Sequence, residues 1–114
     1  MSPTKSTAVK IEEPALLIRL TRLYRPSLSD AELYDVTRGV WKLGERRKLA
    51  CYAMAINGGE VKEVYEIDGW HRAGSTPYTR QRIDPQQFPD RWEFTGQRAT
   101  DAIRDKYVGR SVAS

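Results

Sequence analysis

The sequence predicts an α+β domain, a small curled antiparallel sheet or open barrel with two or three short helices. Three observations carry that reading. Two apolar runs flank an Asn-Gly dipeptide in ACYAMAINGGEVKEVYEI, residues 50–67, the preferred composition of a tight hairpin turn. A helix-start signature stands before DAELYDVTR at 30–38. The segments run strand, helix, strands, loop, strand, helix, which implies antiparallel pairing with helices at the ends of the sheet. A chain of 114 residues can hold one modest core. Folding at this size buries roughly 65% of the unfolded surface.

Taken in order, residues 1–13 are polar and aperiodic and are expected to form a flexible tail, leaving 14–114 as a single domain. ALLIRL, 15–20, is a short apolar run of the kind that forms a buried strand. Ser29 is a natural N-cap, with Asp30 in the first turn and Glu32 placed to complete a capping box. Leu28 and Leu33 are spaced for a hydrophobic staple, Gly39 offers a left-handed stop, and Leu33, Val36 and Thr37 face inward.

Across an Asn57-Gly58 turn, Tyr52, Met54 and Ile56 share a bulky core face with Val61, Tyr65 and Ile67. Cys51, Ala53 and Ala55 share the other face with Lys62, Val64 and Glu66. That small face leaves room for a helix or a ligand to lie close. Residues 68–90 hold three prolines and two glycines without a sustained period and read as a long loop. RWEFTG, 91–96, alternates as a strand does, and TDAIRDKYVG, 100–109, reads as a short helix ending at Gly109.

Net charge is +4 and unevenly spread. Residues 1–28 carry five basic and two acidic side chains, 29–69 carry six and eight, and 70–98 carry five arginines against three acids. Basicity collected at the N-terminus and after Trp70 favours an anionic partner. The apolar runs fall well short of the roughly 20 residues that a bilayer-spanning helix needs. The opening MSPTKSTAVKIEEP lacks the apolar core of a signal peptide, so a cytoplasmic, reducing compartment is expected. The lone Cys51 sits in an apolar run and is expected to be a buried, inert thiol.

Catalytic and metal-binding constellations are hard to build from these residues. One histidine, His71, cannot make a two-His zinc site, and no second cysteine helps it. NGGE leads from strand to strand and lacks the helix N-terminus of a phosphate cradle. Glu60, Glu63, Glu66 and Asp68 do not converge along a strand. Glu63 falls on the bulky face, where it must sit at the rim or meet an arginine. The expectation is a binding module that needs no cofactor or metal, rather than an enzyme.

Aromatics beside arginines are the constellation that remains. Trp41 stands among Arg38, Lys42, Arg46 and Arg47. Trp70 is followed by Arg72, Tyr78, Arg80 and Arg82, and Trp92 follows Arg91. Stacking on an aromatic ring contributes roughly 1–3 kcal/mol per base, and basic side chains add salt-dependent phosphate contacts. Tryptophan is also the largest core filler, so each ring has a competing structural use.

As a set, LYDVTRGVWKLGERRKLACYAMAINGGEVKEVYEIDGW, RWEFTG and IRDKYVGRSV resemble a family of small bacterial and phage-borne domains, mostly without assigned function. The likeness covers about residues 15–112. More distantly, the order of strands and tryptophans is similar to the PUA-like folds, which include EVE, ASCH and YTH domains. Those read RNA, or DNA carrying modified bases, often by holding a base in an aromatic pocket. The resemblance implies that Trp41 and Trp70 wall such a pocket, with Arg46, Arg47 and Arg72 on the nucleic-acid backbone. Fold analogy does not itself transfer function.

The resulting expectation is a nucleic-acid or nucleotide binding module, with Trp41, Trp70, Tyr78, Arg38, Arg46, Arg47, Arg72, Arg80 and Arg82 as the candidate contacts. Two rivals stay open. One is a protein–protein adaptor or inhibitor in a phage or defence system, using the Pro/Arg-rich loop as its interface. The other is a binder of a small signalling nucleotide.

Overall fold

Among the described residues, four strands form one open mixed sheet in the order β1-β2-β3-β4, flanked by two α-helices. The computed structural model describes residues 10–78 and 89–112. The strands are β1 (Ala15–Arg19), β2 (Tyr52–Asn57), β3 (Glu60–Arg72) and β4 (Trp92–Arg98), and the helices are α1 (Asp30–Arg38) and α2 (Asp101–Tyr107). A 3-10 helix at Glu45–Leu49 leads into β2. The α+β class is therefore as the sequence predicts. The pairing is not wholly antiparallel, because β1 runs parallel to β2. Chain reversal through α1 and the segment after it makes the crossover that a parallel pair requires.

The first helix begins as its sequence dictates. Ser29 Oγ accepts from the Glu32 amide at 3.2 Å, and Glu32 Oε1 accepts from the Ser29 amide at 2.9 Å. Its end differs from expectation. Gly39 is extended, at φ −175°, so no left-handed cap closes the helix. Close approach is what requires glycine there: a Cβ would stand 2.8 Å from Glu93 Cβ and nearer still to the Tyr78 hydroxyl oxygen.

The hairpin turn is one residue later than the Asn-Gly pair suggests. Gly58 and Gly59 are its central residues, at φ 61° and 77°, while Asn57 ends β2 and donates to the Leu20 carbonyl at 3.1 Å. Two adjacent glycines meet the double positive φ of a primed turn at lower steric cost than Asn and Gly do.

Beyond the turn a bulge changes the faces. Ile56 lies opposite Val61, but Ala55 lies opposite Glu63, so Lys62 is the extra residue. One inserted residue flips every later side chain. Val64 therefore joins Met54, and Tyr65 and Ile67 join Ala53 and Ala55, the reverse of the expected grouping. Both faces are covered. Met54, Ile56, Val61 and Val64 pack with Tyr107 and Val112 on the α2 side. Ala53, Ala55, Tyr65 and Phe94 pack with Leu33, Tyr34 and Val36 of α1 on the other. The small alanine surface receives a helix. Burying each large apolar side chain contributes about 1.5–3 kcal/mol.

The bulge sets Glu63 opposite Ala55 rather than on the expected bulky face, and there it is 5% exposed and meets an arginine. Its carboxylate accepts from Arg104 Nε at 2.8 Å and Nη2 at 3.2 Å, with Arg98 at 3.6 Å. That hydrogen bond holds the Arg104 guanidinium above its ordinary pKa. Cys51 is exposed rather than buried, because it precedes β2 at the sheet margin. At the N-terminus, Glu12 and Glu13 run beside α2, where Lys106 Nζ donates to them at 3.2 and 2.7 Å. Glu13 is held below the usual carboxylate range by Lys106 first and by the Tyr107 hydroxyl second.

Candidate functional site

β3 runs on to Arg72, so Trp70, His71 and Arg72 lie in a strand and not in the expected loop. A second bulge, with Asp68 as its extra residue, lets the strand bend and continue. Arg72 thereby comes opposite Trp92, His71 opposite Glu93, and Trp70 opposite Phe94. On the outer edge of β4 the Trp92 backbone exchanges hydrogen bonds with Trp41, at 2.9 and 2.8 Å. This bridge brings the 40–47 segment to the end of the sheet.

A groove of about 400 Å³ opens at that corner, walled by Lys42, Leu43, Arg72, Pro89, Asp90 and Trp92. Among the described residues, Trp92 is the aromatic of the groove. The Arg47 guanidinium stacks on its ring at 3.6 Å from the centroid, and Arg72 approaches to 5.4 Å. Arg47 is 5% exposed, donates to the Gly44 carbonyl at 3.0 Å, and lies 3.6 Å from Glu45. Arg72 is exposed and donates to the Pro89 carbonyl at 2.9 Å. Arg46 and Lys42 are exposed nearby in sequence, on and before the 3-10 helix.

A second cluster of arginine and aromatic rings is closed. Arg38 is 2% exposed and Glu93 is fully buried. The Arg38 guanidinium sits 3.8 Å from the centroid of Tyr78 and 5.2 Å from that of Tyr34. It donates to Thr76 Oγ1 at 2.6 Å and to the Pro77 carbonyl, and stands 3.7 Å from Glu93 and 3.6 Å from Asp35. Glu93 in turn accepts from the amides of Gly74 and Thr76, at 2.7 and 2.8 Å, from the Thr76 hydroxyl, and from the Tyr78 hydroxyl at 2.9 Å. Burial, then the hydrogen bond to Glu93, pushes the Tyr78 phenol well above its ordinary pKa. Every one of these contacts is internal. The cluster ties the 74–78 segment to α1 and β4.

The expected site residues therefore separate. Arg47 and Arg72 come together on Trp92, which the sequence reading noted but did not rank as a contact. Arg38 and Tyr78 belong to the closed cluster. Trp41 is half-buried, donates its indole N–H to the Thr37 carbonyl at 2.7 Å, and packs against the α1-side core. Trp70 packs on the same core, edge-on to Phe94 at 5.6 Å, with its indole nitrogen buried and unpartnered among the described residues. Arg80 and Arg82 lie outside the described residues.

Glu93 was the residue that sequence reasoning missed. Its signal is a carboxylate placed between Trp92 and Phe94 in a strand, where a charge must find a buried partner. Among the described residues no three His, Cys, Asp or Glu side chains are grouped to hold a metal ion, and no helix is long and apolar enough to cross a membrane. No family model, curated protein or solved structure matches the chain.

Proposed function

We propose that the chain is a nucleic-acid or nucleotide binding module whose contact site is the Trp92 groove. A base lies against the Trp92 indole, and phosphate meets Lys42 and Arg72. One observation supports this above the others: an indole braced by the Arg47 guanidinium at 3.6 Å forms one wall of an open groove of about 400 Å³ that also holds Lys42 and Arg72. A braced ring keeps its orientation before a base arrives, which lowers the ordering cost of stacking. Asp90 in the same wall offers an acceptor to a base amino group. The sequence resemblance to PUA-like base readers implies a base held by Trp41 and Trp70; in this proposal Trp92 takes that stacking role instead.

Tryptophan fluorescence, titrated with short single- and double-stranded oligonucleotides and with mononucleotides at low and moderate salt, tests the reading. Quenching that weakens as salt rises supports a strand, and quenching by mononucleotides with a shallow salt dependence supports a small nucleotide. Arg72→Ala should lower the salt slope by about one. Absence of quenching by every nucleotide at low salt, or unchanged affinity in Trp92→Ala, overturns it.

A further inference from the structure

A second groove lies on a different part of the molecule, between segment 21–28 and α1. It encloses about 410 Å³ and is lined by Arg22, Leu23, Arg25, Leu28, Asp35 and Val36. Among the described residues its apolar side chains are aliphatic. Leu23 is 46% exposed, one of the large hydrophobic side chains left most open to solvent among the described residues. Arg22 and Arg25 are exposed at the groove, and no ion pair joins either to a described carboxylate. Asp35 is 7% exposed and already lies 3.6 Å from the buried Arg38, so it does not offset the two arginines.

We infer that this groove docks an acidic segment of a partner protein, which inserts an aliphatic side chain beside Leu23, Leu28 and Val36 and sets carboxylates against Arg22 and Arg25. The occupant follows from the lining. Stacking a base needs a π-face, and this groove presents leucine and valine instead. A groove of this volume holds one or two side chains, which suits an anchor residue of a peptide. Charge complementarity then selects the acidic flanks. The chain's own segments 1–9 and 79–88 do not supply them: the first carries Lys5 and no acid, and the second Arg80 and Arg82 against Asp84.

Fluorescence anisotropy with a fluorescein-labelled peptide of repeated Leu-Asp-Glu triplets tests the inference. A Leu-Lys-Lys counterpart and phosphatidylserine vesicles are run beside it. The acidic peptide should bind, the lysine peptide should not, and the double variant Arg22→Glu, Arg25→Glu should lose about tenfold or more in affinity. Leu23→Ser should lose severalfold through the anchor alone. All three positions are open to solvent, and an unchanged thermal melt confirms that the variants fold. Trp92→Ala should bind the acidic peptide as the parent does, which separates this site from the nucleotide groove. Equal binding of both peptides overturns the inference, as does unchanged affinity in the charge-reversed variant. Binding to the vesicles without binding to the acidic peptide overturns it too, and assigns the arginines to a lipid surface.

Discussion

The Arg38–Glu93 cluster and the Trp92 groove are built from the same residue types and come to opposite ends. Each stacks a guanidinium on aromatic rings, at 3.8 Å from Tyr78 in one and 3.6 Å from Trp92 in the other. The difference is an acid at the centre. Glu93 takes up the charge of Arg38 and four further donors, and the one Arg38 nitrogen without a hydrogen bond among the described residues, Nε, is itself buried, so the cluster presents no charge to solvent. Around Trp92, Arg72 remains exposed and Lys42 faces an open groove. Arginine beside an aromatic ring is therefore ambiguous as a binding signal until the nearest carboxylate is located.

The strongest way to break that comparison is to remove the acid. Glu93→Gln leaves the shape nearly intact but strips the buried countercharge from Arg38. Breaking a buried pair at one partner costs about 3–5 kcal/mol. Urea unfolding should show a loss of that size, whereas Trp92→Ala should lose less because its ring is half-buried. A loss under about 1 kcal/mol in Glu93→Gln would mean that Asp35 suffices as the countercharge. The cluster would then no longer differ from the groove in the way described.

Much of the fold was legible because it rests on local rules. Ser29 and Glu32 form their capping box regardless of the rest of the chain, and two apolar runs around NGG fold back as a hairpin. The bulges were not legible. Lys62 and Asp68 are polar residues in long strands, and no local preference marks either as the extra residue. Yet each resets which side chains share a face, so Tyr65 and Val64 exchanged places. Trp70 came out of the expected loop for the same reason: β4 offers a partner that is distant in sequence. The candidate site suffered most, since it depends on which groups meet each arginine far along the chain: Arg38 donates to Thr76 and to the Phe94 carbonyl, 38 and 56 residues away.

Tyr78 sharpens the comparison through its acidity. Burial and the hydrogen bond to Glu93 raise its phenol pKa. The sign follows from linkage: a group whose folded pKa is raised contributes fully below its unfolded value. That contribution is lost as pH climbs through the folded one. The window is alkaline, above about 10. Tyrosinate absorbance of the folded protein should show late-titrating tyrosines, because Tyr65 is raised as well, chiefly by burial. Tyr78→Phe should remove one late-titrating group and cost about 1 kcal/mol of neutral-pH stability. If the variant instead loses a group that titrates in the ordinary tyrosine range, Tyr78 is open to solvent and the cluster is not closed.

The smallest effects should come from the groove itself, and they differ in kind between its two arginines. Arg47 is almost wholly covered, and its stack on Trp92 and its bond to the Gly44 carbonyl favour the folded state. Its Nε is buried without a partner among the described residues, a cost that works against that gain. The two opposing effects leave Arg47→Ala with a loss of about 1 kcal/mol, within the range of a partly desolvated cation–π contact. Arg72 makes one exposed hydrogen bond and lies farther from the ring, so Arg72→Ala should stay within about 0.5 kcal/mol. Paired urea titrations of the two variants check this. An equal or larger loss in Arg72→Ala would show that its guanidinium is spent on holding the strands together. A cation that holds the fold is not free to hold a phosphate, and the ligand's charge would then have to be met by Lys42 and Arg46.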